Sequence, residues 1–206
     1  MSKEESEMGR RKGYDREKLL SMAMEVFRDK GFAGASAETL VASLGVNRYS
    51  IYAEFGSKQA LFEEALERYD QESVANNFGP LEAPGAGLDE IYELLRFFGS
   101  ASNSPAWGRG CLLCNTAVEF GPSDPTGDGF IQRYFERLSS AFRNALGNAV
   151  DQGQLAKSVN PGVEASFLTS SVLGMFVMLR AKAPELTIKF AAQAAIDHLN
   201  ALRNDV

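Results

Sequence analysis

Between two short apolar-faced segments lies a tight turn, Gly45-Val46-Asn47, and the spacing around it leaves few folds open. Ser36 offers the side-chain oxygen of an N-cap to a helix over Ala37–Leu44, and Glu38 puts an acid in its first turn, where the dipole favours one. Gly45 supplies the left-handed residue that ends such a helix. Val46 plugs the turn, and Asn47 caps a second helix, Arg48–Phe55. Leu40, Leu44, Val46, Ile51 and Phe55 then share one inward face, leaving Arg48, Tyr49, Ser50 and Tyr52 on another. Two helices joined by a short glycine-containing turn form a helix-turn-helix, whose second helix lies in the major groove of DNA. A basic and several hydroxyl-bearing side chains in the first turns suit phosphates and base edges. An ordinary solvated face of a helical hairpin would carry the same pattern.

A net charge of -6 looks wrong for a DNA binder until the chain is divided. Residues 1–60 hold 10 Lys+Arg against 9 Asp+Glu, whereas the remaining 146 hold 11 against 18. Acidity is thus concentrated away from the candidate reader. Arg10, Arg11, Lys12, Arg16 and Lys18 cluster near the N-terminus, as a solvated tail or, in the Arg10-Arg11-Lys12 part, as an arm that tracks the DNA backbone or reaches a minor groove. That terminus has no apolar core of a secretory signal. No apolar run approaches the ~18 residues of a membrane span. The expectation is a cytoplasmic protein with no membrane partner.

Periodicity predicts helices throughout, with no strand alternation. Leu19, Leu20, Ala23, Met24, Val26 and Phe27 recur at helical spacing over residues 15–30, Gly31 ends that helix, and Phe32 folds back. A helix from about Ala60 to Asn76 should be broken by Asn76-Asn77-Phe78-Gly79-Pro80. Further helices are expected over residues 88–98, 107–120, 130–152, 162–181 and 184–203. The fold class is all-α: an N-terminal three-helix DNA-binding domain, residues 1–57, and a larger helical domain, residues 58–206, about nine helices in all. The last two helices are rich in Ala, Ser and Gly, with Phe167, Leu168, Leu173, Phe190, Leu199 and Leu202 as bulk, a composition for close packing within the chain or between copies of it.

Gly45-Val46-Asn47-Arg48-Tyr49-Ser50-Ile51-Tyr52, then Phe55, Ser57-Lys58 and Leu61, resembles the N-terminal domain of TetR-family transcriptional regulators. Ala23, Phe27, Gly31, Phe32 and Ser36 fit the same pattern. The resemblance implies a homodimeric repressor that binds a palindromic operator and is released by a small-molecule effector. It implies DNA contacts from Ser36, Thr39, Asn47, Arg48, Tyr49, Ser50, Tyr52 and Lys58. Lys58 carries a cation in a first helical turn, where the dipole disfavours it unless an anion docks. Tyr49 stands where the family often has a small residue or proline, and Glu54 where it often has histidine or an aromatic. Both departures bear on the operator, not on the fold. The terminal helix pair corresponds to the family's four-helix dimer interface.

In such a regulator the effector sits among the middle helices, and Phe98, Trp107, Cys111, Asn115 and Met175 are the candidates to line its site. Cys111 and Cys114 stand three apart; with one histidine and no further cysteine, the chain offers no zinc set, and no metal or cofactor is expected. Gly110-Cys111-Leu112-Leu113-Cys114-Asn115 resembles the ligand-domain helix of TetR members that sense electrophiles or small unsaturated acids, with a cysteine at the place of Cys111. The two cysteines are thus a candidate redox pair, or two small buried apolar residues. A thiol-dependent redox enzyme and a non-specific structural DNA binder are competing classes. The chain lacks a βαβ pattern and a Gly-rich phosphate loop, and its bulk is acidic, so both are disfavoured.

Overall fold

The computed structural model describes residues 14–100, 106–123, 126 and 129–203. Among them run ten α-helices and one π-helical segment, with no strand. Helix α1 (Arg16–Gly34) starts at Asp15, whose Oδ1 accepts from Glu17 N at 2.9 Å. Gly31 lies inside its bounds at φ 72°, ψ 176°, so the regular helix ends there as expected. Phe32 folds back onto Phe62, ring centroids 4.9 Å apart. Of the basic cluster, Arg10, Arg11 and Lys12 lie outside the described residues, while Arg16 is committed to Glu64 at 2.6 Å.

Helices α2 (Ala37–Leu44) and α3 (Arg48–Phe55) keep the predicted bounds. The next element corrects the sequence reading. No break occurs at Asn76–Pro80: α4 (Lys58–Tyr69) passes through a π segment (Asp70–Val74) into α5 (Ala75–Glu82), with Pro80 inside the last helix. Tertiary contacts outweigh local propensity here. Phe78 and Leu81 are buried, Phe78 edge-on to Phe142 at 6.3 Å. Asn144 Nδ2 meets the free helix-end carbonyls of Leu81 and Ala83 at 2.7 and 3.2 Å. Arg137 straddles the π segment, donating to both Asp70 oxygens at 3.1 and 3.0 Å and to both Glu82 oxygens at 2.6 and 3.0 Å. These ion pairs hold the Glu82 carboxyl below its ordinary value, chiefly through the hydrogen bond from Arg137.

The remaining helices are α6 (Leu88–Gly99), α7 (Leu112–Phe120), α8 (Phe130–Asp151), α9 (Pro161–Arg180) and α10 (Glu185–Ala201). Helix α7 starts later than the apolar pattern suggested. Gly108 and Gly110 have φ of 73° and 66°, so Trp107 to Gly110 form a turn and Cys111 is the N-cap. Pro161 opens α9, with Asn160 Oδ1 accepting from Gly162 N at 2.9 Å. The apolar-run reading also needs correction, because α9 is long and apolar enough to cross a bilayer by length and composition. Periodicity had hidden this, since small and hydroxyl residues spread its apolarity round the helix instead of forming one run. Its inner side, Ala165, Leu168, Val172, Met175, Phe176 and Leu179, packs into the core, against α8 above all.

Candidate nucleic-acid interface and the core behind it

The reader is built from caps. Ser36 Oγ accepts from Thr39 N at 3.1 Å, Asn47 Oδ1 from Ser50 N at 2.8 Å, and Ser57 Oγ from Ala60 N at 3.0 Å. Gly45, at φ 70° and ψ 17°, donates its N–H to Val41 O and turns the chain between α2 and α3. Each cap satisfies a helix-end donor and fixes where the next side chains point. Leu40, Leu44, Ile51 and Phe55 are buried beneath, and Val46 is partly buried against them. What remains outside is the predicted face: Arg48 is exposed, Tyr49 is 83% exposed, and Ser50 is half-buried beside them. Arg48 stacks over Tyr52 at 5.5 Å, and Tyr52 itself rests on the core. Glu38 lies near enough to Arg48 that this cation helps keep its carboxyl ionised, after hydrogen bonds from its own backbone and Ser36.

Two positions acquire a second role. Lys58 Nζ sits 4.3 Å from the Phe32 ring centroid, so a cation–π contact offsets its place in a first turn. Glu54 faces away from the reading side: Tyr14 Oη donates to it at 3.3 Å and Arg16 Nε lies 3.6 Å away. Arg16 also covers the Phe55 ring at 4.7 Å. The departure at Glu54 therefore serves the seam between α3 and α1.

The reader is seated on the larger domain through α1. Glu119, on α7, accepts the N–H groups of Phe32 and Ala33 at 2.9 and 2.8 Å. Arg180 donates to Arg28 O and Asp29 O at 2.9 and 2.8 Å. Arg28, only 9% exposed, returns across the junction, its Nε and Nη2 donating to Gly110 O at 3.0 and 2.8 Å. Arg28 and Glu119 escaped the sequence reading. An arginine on the apolar side of a helix was the available signal, since a buried cation requires partners.

The five middle-helix candidates are not brought together around one opening. Phe98, Cys111 and Met175 are packed in the core, Phe98 edge-on to Phe176 at 5.0 Å. Trp107 is half-buried in the turn before α7. Asn115 supports that turn, donating to Arg109 O at 2.7 Å. Three clefts border the π segment instead, one of them a polar hollow lined by Glu17, Glu64, Glu67, Arg68, Gln71 and Glu72. A second, of about 270 Å³, is lined by Asp70, Phe130, Arg133, Tyr134 and Arg137. The third, of about 250 Å³, includes Arg28, Tyr69, Ser73, Asn77, Phe97 and Phe176.

Both cysteines are buried free thiols. Cys111 Sγ is hydrogen-bonded to Tyr134 Oη at 3.4 Å. Burial, and secondarily Cys111, pushes the Cys114 thiol from 9.0 up to about 12. Tyr69 and Tyr134 are raised in the same direction, burial again leading. Between about pH 9 and pH 12 the native state keeps a proton on Cys114 that the unfolded chain releases. This contribution is complete below the unfolded value and is lost as pH rises through that window. Urea midpoints measured across it are expected to fall with pH, and less so in Cys114→Ala; parallel profiles would contradict the burial assignment.

Residues 19–65 match the bacterial regulatory proteins of the tetR family, and residues 87–195 the tetracyclin repressor-like C-terminal domain. The chain is 32% identical over 169 residues to the HTH-type transcriptional regulator YezE of Bacillus subtilis, spanning 82% of this chain and 87% of that one. It is 24% identical over 165 residues to the HTH-type transcriptional repressor DhaR of Mycobacterium sp. strain GP1, spanning 80% and 82%. Among solved structures, a cysteine mutant of the TetR family regulator CifR complexed with 26bp double-strand operator DNA superposes with a TM-score of 0.81. That match has 26% identity and covers 93% of this chain and all of CifR's. With the capped reader exposed on one face and both halves matched, this chain belongs to the tetR family of bacterial regulatory proteins and is a DNA-binding transcriptional regulator.

Proposed function

We propose that the protein is a cytoplasmic, homodimeric repressor whose α2–α3 units read a palindromic operator and release it when a small effector occupies the larger domain. The observation that carries this reading is the pairing of an exposed Arg48–Tyr49 tip with an uncovered apolar face on α9 and α10. Val163, Phe167, Val177, Leu186 and Phe190 are all exposed there. A patch of this kind on the terminal helices suits a second copy of the chain. The two-fold axis then sets two α3 helices about 34–36 Å apart, or somewhat more, along one duplex. In this reading residues 1–57 are the reader. Residues 58–206 hold effector and dimer contacts, with α4 shared mechanically between the two. Ser36, Thr39, Asn47, Ser50, Tyr52 and Lys58 position the backbone, and Arg48 and Tyr49 meet base edges. Regulation requires an effector that prefers the non-binding spacing by its own differential affinity. The repressor role is supported by the relative DhaR, which carries that name.

The test is selection of bound duplex from a random pool, followed by titration of the selected operator. Arg48→Ala is expected to cost about 1–3 kcal/mol and to relax preference at one position per half-site. Lys58→Ala should weaken all sequences alike and flatten the salt dependence. Equal loss by Arg48→Ala on selected and random duplexes would remove Arg48 from base reading.

A further inference from the structure

Resting on the effector-release reading above, we propose that the effector site is the cleft beside the π segment and that it takes a small monocarboxylate with an apolar body, anchored on Arg28. A guanidinium removed from water needs its donors met. Arg28 spends Nε and Nη2 on a single carbonyl, Gly110 O. Its Nη1 keeps an ion pair with Glu25 Oε1 at 3.9 Å, past hydrogen-bond length, and its plane lies over the Tyr69 ring at 5.5 Å. The same side chain borders the cleft of about 250 Å³. Among the described lining residues Arg28 is the one charged group. A carboxylate entering there can meet the Nη1–Nη2 side of the guanidinium, the side not turned to Gly110 O, in a charge-assisted contact.

The remaining wall divides into a head end and a body end. Ser73 and Asn77 offer neutral polar groups in the same cleft, and the Tyr69 ring lies against the guanidinium. Phe97 and Phe176 line the same space with aromatic rings, suited to a flat or branched apolar body. The volume is below the roughly 300–1,000 Å³ of sites for drug-sized ligands, which limits the guest to about one ring.

Occupancy there has a direct route to the reader. Arg28 belongs to α1, whereas Asn77, Phe97 and Phe176 come from α5, α6 and α9. A bound carboxylate ties α1 to those helices and competes with Gly110 O for the guanidinium. That carbonyl belongs to the turn on which α1 is seated, where a Cβ on Gly110 would lie only 3.0 Å from Phe176 O. The seat has little slack, so a change at Arg28 shifts α1. By linkage, operator DNA must weaken carboxylate binding by the factor with which carboxylate weakens operator binding.

The experiment uses the full chain with benzoate and its neutral isostere benzamide, by calorimetry and by operator anisotropy. Benzoate is expected to bind, to release the selected operator, and to bind at least about tenfold more tightly than benzamide, as a charged hydrogen-bonded pair does. Arg28→Met should abolish benzoate binding. Because that variant also removes a junction contact, Ser73→Leu serves as the second: it fills the cleft beside Arg28 and should lose benzoate binding while still melting cooperatively. Equal affinity for benzoate and benzamide, no binding of either to protein that binds operator, or undiminished benzoate binding by Ser73→Leu would each overturn the proposal. Failure of the unliganded protein to select any operator would instead sink the underlying reading, with the calorimetry still deciding whether the cleft takes carboxylates.

Discussion

Phe190→Glu is expected to divide the protein into monomers at micromolar concentration and to abolish tight operator binding. Phe190 is 64% exposed on α10, near-neighbour in kind to Leu186 at 61% and to Val163 and Val177 on α9. In a two-fold interface every substitution appears twice, so a single carboxylate variant brings two unpaired charges to the seam. Each costs several kcal/mol when removed from water without a partner. A monomer also loses the avidity of two joined half-site contacts, about 10²–10⁴-fold. Analytical ultracentrifugation with and without operator measures both consequences. An unchanged dimer would place the interface elsewhere. Phe190→Leu is the control, because it keeps an apolar surface and should keep the dimer.

The second large effect is expected at the junction of the two halves. Phe62, on α4, is fully buried between Phe27 at 4.9 Å, Phe32 at 4.9 Å and Phe120 at 6.0 Å. Those rings come from α1, the turn after Gly31 and the end of α7, so one side chain joins reader and larger domain. Phe62→Ala should cost about 3–5 kcal/mol through lost burial and the cavity left behind. For a chain of this size that is about 2–4 °C in Tm per kcal/mol, read at fixed protomer concentration. Loss of cooperativity, with the reader melting first, is the accompanying signature. A Tm within about 2 °C of the parent would show that the four-ring cluster is not the seam.

The reader was legible because its determinants are local. Ser36, Gly45, Asn47 and Ser57 are caps and turns, and each acts within three or four residues of itself. The apolar spacing of Leu40, Leu44, Ile51 and Phe55 fixed which side of α3 faces out. The middle of the chain was less legible because its elements are set by partners distant in sequence. Asn76–Pro80 has the composition of a break, yet Asn144 and Arg137 complete the helix end from α8. Conversely, the apolar pattern carried the next helix back to Trp107, yet Gly108 and Gly110 adopt positive φ and delay its start to Leu112. The candidate cleft was missed for the same reason: Arg28 lies in the reader's sequence and Asn77 in a predicted loop, and only folding makes them neighbours.

The π segment also acts as an angular index. An α-helix advances about 100° per residue, whereas the wider i→i+5 turn accommodates an additional residue in one circuit. Everything beyond Asp70–Val74 is therefore rotated relative to α4 by about a quarter of a circle from where an unbroken helix would carry it. This is why Leu61, Phe62, Ala65 and Leu66 address the reader and α7, while Phe78 and Leu81 address α8 from the same rod. Arg137, gripping Asp70 below and Glu82 above, is the detent that holds this phase. A motion that straightened the rod would have to turn one end against the other, so a signal along it is better pictured as torsion than as a push.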